Sequence, residues 1–255
     1  MHNITAERVA AVRAWLETNN LDAVIIPHED EYLGEYVPAH NERLHWLTGF
    51  TGSAGAAVIT RETAAIFVDG RYTVQVRKQV PAELFEYRHL IEEPALDWII
   101  NSLPQGSKVA FDPRMHTAAW LKGAQAKLAE KVELTTLSAN PIDELWSDRP
   151  EPVVSDVRLM ATDAVGQSSE SKRAEIAGLL KAKGADAAIL TELDSICWLL
   201  NIRGLDVSRL PVVLSNAIIH ADESVDFFLD PARIPAGFEA HVGNGIRVSH
   251  PSELE

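Results

Sequence analysis

Cysteine is almost missing from this chain: Cys197 is the only one among 255 residues. A single thiol closes no internal disulfide and builds no cysteine-rich zinc site, so a disulfide-stapled scaffold and a zinc ribbon are both excluded. Cys197 sits in the apolar run Ser195-Ile196-Cys197-Trp198-Leu199-Leu200 with no basic neighbour in sequence to lower its pKa. A buried structural thiol is expected there, not a nucleophile. Cationic charge is scarce too. The chain has 23 Lys and Arg against 37 Asp and Glu, a formal charge of −14, and no local basic cluster. Such a surface repels phosphate backbones and disfavours nucleic acid as a partner. No apolar run reaches the roughly 20 residues that cross a bilayer, so no membrane partner is expected. The start, Met1-His2-Asn3-Ile4-Thr5, lacks a basic flank and an apolar core. That pattern points to a cytoplasmic chain in which the Asn3-Ile4-Thr5 sequon carries no meaning.

What is present is ordinary for a globular protein, with 46% hydrophobic and 24% charged residues. The length allows one large or two modest domains. Residues 5–20 form an amphipathic pattern, with Thr5 suited to the N-cap and Val9, Val12, Trp15 and Leu16 on one stripe. Residues 21–27 read as a buried strand closed by proline, and residues 43–46 as a short helical piece. The apolar runs 56–60 and 64–68, split by Arg61-Glu62-Thr63, read as a hairpin. A helix over 71–80, a strand over 84–89, a helix over 94–103, a strand over 108–111 and a helix over 117–131 follow. This alternation predicts an α/β domain with a mixed sheet.

Asp148-Arg149-Pro150-Glu151-Pro152 interrupts the pattern, since two close prolines stiffen the backbone and oppose a helix. The expected domains are therefore 1–149 and 150–255. A second amphipathic helix spans 168–183, with Ile176, Leu179 and Leu180 on its apolar face. The second half echoes the first. Asn20-Leu21-Asp22-Ala23-Val24-Ile25-Ile26 parallels Gly184-Ala185-Asp186-Ala187-Ala188-Ile189-Leu190, and Trp46-Leu47-Thr48-Gly49 parallels Trp198-Leu199-Leu200-Asn201. Paired apolar runs at 212–214 and 225–229 continue the echo. Two diverged copies of one domain are expected, the second short of about 40–50 residues. An incomplete copy would leave strand edges and an apolar face uncovered.

The glycine-rich segment Thr48-Gly49-Phe50-Thr51-Gly52-Ser53-Ala54-Gly55 is no phosphate loop, because no Lys-Ser or Lys-Thr follows it. It also misses the serine nucleophile elbow, having Thr51 where a glycine is required and a strand pattern where a helix is required. His40 and His45 are five apart, a poor spacing for one helical face. His89 with Glu92 and His220 with Asp222 are local pairs without a third partner. All of these are read as solvated surface residues, so no metal ligand and no catalytic residue is assigned.

Several motifs occur in fixed order: Glu35-Tyr36-Val37-Pro38, Asn41-Glu42-Arg43, the glycine-rich segment, Asp69-Gly70-Arg71-Tyr72, Leu145-Trp146-Ser147-Asp148-Arg149-Pro150, and the run from Thr191-Glu192-Leu193-Asp194 to Asn201-Ile202-Arg203-Gly204. Together they resemble the N-terminal part of long Xaa-Pro aminopeptidases of the creatinase/prolidase group. Asn41 and Leu44 depart from that pattern, replacing an acid and a second arginine. The resemblance implies an α/β fold of two tandem creatinase/prolidase N-terminal-type domains with mixed sheets, the second incomplete. It implies a parent metallopeptidase that removes the residue before proline, with two manganese ions held in a catalytic domain these residues do not match. This chain would then hold no cofactor and, alone, no activity. Its role would be to gate the peptide substrate and to form a homodimer. The resemblance also assigns Arg71 to substrate binding, whereas by sequence alone it reads equally as a helix-start arginine paired with a carboxylate. A stand-alone peptide- or protein-binding module and a prolidase-type relative remain as alternatives.

Overall fold

Val9, Val12 and Leu16 recur at helical spacing and are at most 1% exposed, and helix α1, His2–Thr18, carries them. The computed structural model describes residues 2–254, and side chains from Ile4 onward. The asparagine of the sequon therefore lies outside the described side chains. Thr5 does not cap α1: the helix begins earlier, and Thr5 is buried within its first turn. The chain divides into two compact units, Met1–Glu151 and Pro152–Glu255.

In the first unit, β1 (Ala23–Pro27), α2 (Arg43–Thr48), β2 (Gly55–Thr60), β3 (Ala64–Val68), α3 (Thr73–Gln79) and β4 (Glu86–His89) follow α1. Then come α4 (Ala95–Ser102), β5 (Ser107–Phe111), α5 (Ala118–Leu128), β6 (Val132–Thr136) and α6 (Pro141–Leu145). The strands form one sheet in the order β4-β3-β2-β1-β5-β6. β1–β2 and β2–β3 are antiparallel, whereas β3–β4, β1–β5 and β5–β6 are parallel. Residues alternate between faces of a strand. Val24 and Ile26 of β1 accordingly join α1 in one core, and Ala23 and Ile25 join Trp98 and Ile99 of α4 in another. Helices therefore cover both faces of this sheet. β6 and α6 were not expected from sequence: β6 mixes exposed polar residues with two half-buried ones, so its pattern carries no clean alternation.

In the second unit, β7 (Arg158–Leu159), α7 (Thr162–Val165), α8 (Ser169–Ala182), β8 (Ala187–Leu190), α9 (Leu193–Leu199) and β9 (Ile202–Arg203) lead to β10 (Asn216–His220), β11 (Val225–Phe228), α10 (Phe238–Val242) and β12 (Ile246–Ser249). Its main sheet has the order β12-β11-β10-β8. β8–β10 and β10–β11 are antiparallel and β11–β12 parallel. This reproduces β4-β3-β2-β1 in order and direction. The echo extends to the turns: Asn20 and Gly184 both adopt positive φ, 53° and 67°, and so do Gly49 and Asn201, 80° and 53°. Among the described residues β8 is an edge strand, and its Ile189 is 68% exposed. The matching Ile25 in β1 is 4% exposed beneath the second core of the first unit.

Three expectations need correction, two in this unit and a third that also touches the first. Residues 212–214 form no strand; β11 pairs with β10, Asn216–His220. Leu179 is 54% exposed, and α8 buries Lys172, Arg173, Ala177 and Leu180. The two cations are buried because backbone carbonyls receive them: Lys172 Nζ donates to Trp198 O at 2.9 Å and Arg173 Nη2 to Val242 O at 2.9 Å. The expectation of solvated histidines also fails at two places. His40 is 9% exposed, and His220 pairs with Asp226 at 3.0 Å rather than with Asp222. Cys197, 1% exposed, is a buried thiol whose pKa burial pushes up.

His116, between β5 and α5, stacks on Trp120 with ring centroids 3.7 Å apart. Burial is the main cause of its lowered pKa, about 4, and the Asp112 carboxylate opposes it weakly. An unfolded histidine titrates near 6.5. Below that pH the unfolded chain takes up a proton that the native chain refuses, so stability is lost as pH falls from 6.5 towards 4. At pH 4.5 the loss from this residue is about 2–3 kcal/mol. Urea unfolding of the first unit at pH 7 and pH 4.5 measures it, and His116→Gln is expected to flatten the dependence. An unchanged slope in that variant would sink the assignment.

Candidate functional site

The motifs 35–38, 48–55 and 69–72 are far apart in sequence, yet they meet at one end of the first sheet. β3 ends at Val68, and the chain turns at once: Asp69 Oδ1 accepts the Arg71 amide at 2.9 Å, and Tyr72 N donates to Asp69 O at 3.0 Å. The same carboxylate grips the Arg71 side chain, taking Nε at 3.0 Å and Nη2 at 2.7 Å. Both of these reach Oδ2, and Nε also donates to Oδ1 at 3.2 Å. Several bonds from one planar group fix the guanidinium plane in a way one ammonium could not copy. The remaining nitrogen, Nη1, lies 3.8 Å from Glu35 Oε1. Arg71 nevertheless stays 60% exposed. Its charge is therefore held in place and still offered to solvent. The bond from Arg71 is the first cause holding the Asp69 carboxyl below its usual range, and Asp69 in turn raises the arginine.

Glu35 and Tyr72 extend the constellation. Ser53 Oγ donates to Glu35 Oε1 at 3.0 Å and shares a hydrogen bond of 2.9 Å with the Tyr72 hydroxyl. The Tyr72 ring meets Phe50 edge-on, with centroids 5.6 Å apart. This explains Gly52: a Cβ there would overlap the Phe50 ring and press on Tyr72. Thr51 is tied to α3, accepting from Gln75 Nε2 at 2.9 Å and Gln79 Nε2 at 2.8 Å. The glycine-rich segment thus builds a loop that props Arg71.

A second network stands behind this end of the sheet. Arg43, 2% exposed, meets Glu31 at 2.8 Å and Asp143 at 2.6 Å. Asn41, which replaces an acid of the expected pattern, donates to Asp30 at 3.0 Å and accepts from Arg149 at 2.8 Å. Sequence reasoning found Arg43 and Asn41 but missed Glu31 and Asp143. Their only signal was charge, and the chain has 37 acidic residues from which to choose.

Among the described residues, no group of three or more His, Cys, Asp or Glu side chains is placed to hold a metal ion. The donor set for a bridged metal pair does not fit these residues. No described helix is long and apolar enough to cross a membrane.

Comparison with known proteins accords with these observations. Two matches to the Creatinase/Prolidase N-terminal domain cover residues 8–145 and 148–255. The Xaa-Pro aminopeptidase ApepP of Drosophila melanogaster is 34% identical over 252 residues, which is 96% of this chain and 41% of that protein. Aminopeptidase P1 of Lotus japonicus is 32% identical over 94% of this chain and 37% of its own length. An X-prolyl aminopeptidase from Caenorhabditis elegans, described as a cytosolic enzyme with a di-nuclear active site, superimposes with a TM-score of 0.92 at 26% identity. That match covers 98% of this chain and 43% of the nematode protein. The chain spans about two fifths of the length of these relatives. With tandem sheets of matching order and a family match in each half, the chain belongs to the creatinase/prolidase N-terminal domain family.

Proposed function

We propose that this chain is the substrate-gating and dimer-forming N-terminal region of a cytoplasmic Xaa-Pro aminopeptidase, with Arg71 as its peptide contact. The supporting observation is the posture of Arg71: a guanidinium clamped by Asp69, propped through Glu35, Ser53 and Tyr72, and yet 60% exposed. A merely structural arginine needs no such exposure. A fixed, exposed guanidinium suits a peptide carboxylate or carbonyl. In this reading the bond-breaking chemistry, with its two metal ions expected to be manganese, belongs to residues outside this chain, which spans about two fifths of the length of its relatives.

Two measurements test the reading. The purified chain with manganese added should release no N-terminal residue from an Xaa-Pro peptide; robust turnover would overturn the division of labour. In a chimera where this chain replaces the matching part of the Drosophila relative, Arg71→Ala and Arg71→Lys should each raise KM about tenfold and leave kcat nearly unchanged, as expected for a lost charge-assisted contact. An unchanged KM in both variants removes Arg71 from substrate binding.

A further inference from the structure

The order β4-β3-β2-β1-β5-β6 contains a reversal. From β1 the chain moves outward through β2, β3 and β4, then returns to place β5 and β6 on the other side of β1. β1 and β5 are parallel neighbours, and their connections leave in opposite directions. A crevice opens beyond the C-terminal ends of such strands, which is where open α/β sheets hold ligands. The first unit has a cavity of about 560 Å³ at this place, within the usual range for small-molecule sites. Ile25 and Pro27 from β1, Leu90 after β4, and Met115, His116 and Trp120 after β5 line it.

Three features give the cavity a chemical character. His116 and Trp120 stack with planes 16° apart, making a flat wall, and burial favours the neutral imidazole. Leu33 lines the cavity as well, 42% exposed and with a left-handed φ of 54°. A non-glycine residue in that region is strained, and such strain concentrates at ligand sites. Polar groups at the cavity are few: Glu29 supplies an acceptor, His116 carries a buried Nε2 without a hydrogen-bond partner, and Thr117 is occupied capping α5 through the Trp120 amide at 3.0 Å. Glu29 opposes an anion and suits an N–H donor.

From this cavity we infer a binding site for a small, flat, neutral heteroaromatic molecule bearing an N–H. The ring lies in the apolar crevice by the His116–Trp120 wall, as offset or edge-on aromatic packing favours, with its N–H directed to Glu29. The site is separate from Arg71, uses none of the residues assigned to peptide contact, and does not depend on the aminopeptidase reading.

Indole is the probe, titrated into the isotopically labelled 255-residue chain and followed by amide and side-chain NMR shifts. Saturable shifts confined to the cavity residues, with a dissociation constant of about 1 mM or tighter, are expected for a ligand of this size. Cyclohexanol, of similar bulk but neither flat nor bearing an N–H, should bind at least about tenfold more weakly, and Glu29→Gln should weaken indole by a smaller factor. Leu33→Lys at the cavity mouth should weaken indole about tenfold or more, whereas Leu205→Lys in the second unit should leave it unchanged. Should Leu33→Lys fail to fold, Leu33→Gly, which relieves the left-handed strain and removes the side chain, takes its place. Shifts that do not saturate, shifts mapping elsewhere, equal binding of cyclohexanol, or indifference to the Leu33 substitution would each overturn the site.

Discussion

Replacing Arg43 by methionine is expected to destabilise the first unit by about 3 kcal/mol, the lower end for breaking a buried ion pair. Arg43 is 2% exposed, and every nitrogen of its guanidinium is engaged. Nε and Nη2 donate to the two oxygens of Asp143 at 2.6 and 2.9 Å, Nη2 also reaches Glu31 at 2.8 Å, and Nη1 faces the Met115 sulfur at 3.5 Å. Burial is the largest single influence and works against the charge, but the hydrogen bonds and negative charges of Asp143 and Glu31 together outweigh it and hold the guanidinium well above its ordinary pKa. Methionine would fill the space and leave Glu31 and Asp143 facing each other. The loss stays at the lower end because both acids retain a partner and some water. Asn41 donates to Glu31 at 3.1 Å and Arg149 lies 3.0 Å from Asp143, and the two carboxylates are 27% and 22% exposed. For a unit of this size the loss corresponds to a melting shift of about 6–12 °C. Urea unfolding checks it. Arg43→Lys should recover only part of the stability, since an ammonium cannot span two carboxylates in one plane. A loss below about 1 kcal/mol would mean the network behaves as a solvated surface pair.

The second large effect falls in the other unit. Asp206, 2% exposed, gathers four donors: Ser155 N at 3.0 Å, Ser155 Oγ at 2.6 Å, Leu214 N at 2.8 Å and Arg233 Nη2 at 2.7 Å. One carboxylate thereby joins the segment at residue 155, the loop after β9 and the turn at Pro231–Arg233. Alanine at 206 would strand two backbone amides and a mostly covered guanidinium, 11% exposed, whose remaining partner is Ser155 O at 2.8 Å. Unsatisfied buried donors and an unpaired charge together predict a loss of about 3–5 kcal/mol. Asp206→Asn keeps one acceptor oxygen and should lose less. Hydrogen exchange of β10 and β11 reads this unit separately, and protection in Asp206→Ala close to the parent chain would refute the estimate.

Much of the architecture was legible because local patterns are strong there. The hairpin of β2 and β3 follows from two apolar runs around Arg61-Glu62-Thr63. The repeat was readable in Asn20 and Gly184, which end their helices in the left-handed conformation. Elsewhere the signal failed for identifiable reasons. Apolarity placed Leu179 inside, yet α8 turns Lys172 and Arg173 inward because waiting carbonyls solvate them. Apolarity also made a strand of residues 212–214, where the backbone instead serves Asp206 and the loop around it. His40 looked like a surface histidine because nothing nearby in sequence shows that Arg149 closes over its carbonyl.

By itself the sequence determined the family and the repeated α/β design, since each rests on residue type, order and short-range periodicity. The tertiary structure alone decided which acids meet Arg43, how Glu35 and Ser53 come to prop Arg71, and that a cavity opens where the sheet reverses. The reason is distance along the chain. Arg43 and Asp143 are 100 residues apart, and a charge has no partner until folding brings one within a few ångströms and strips the water from between them.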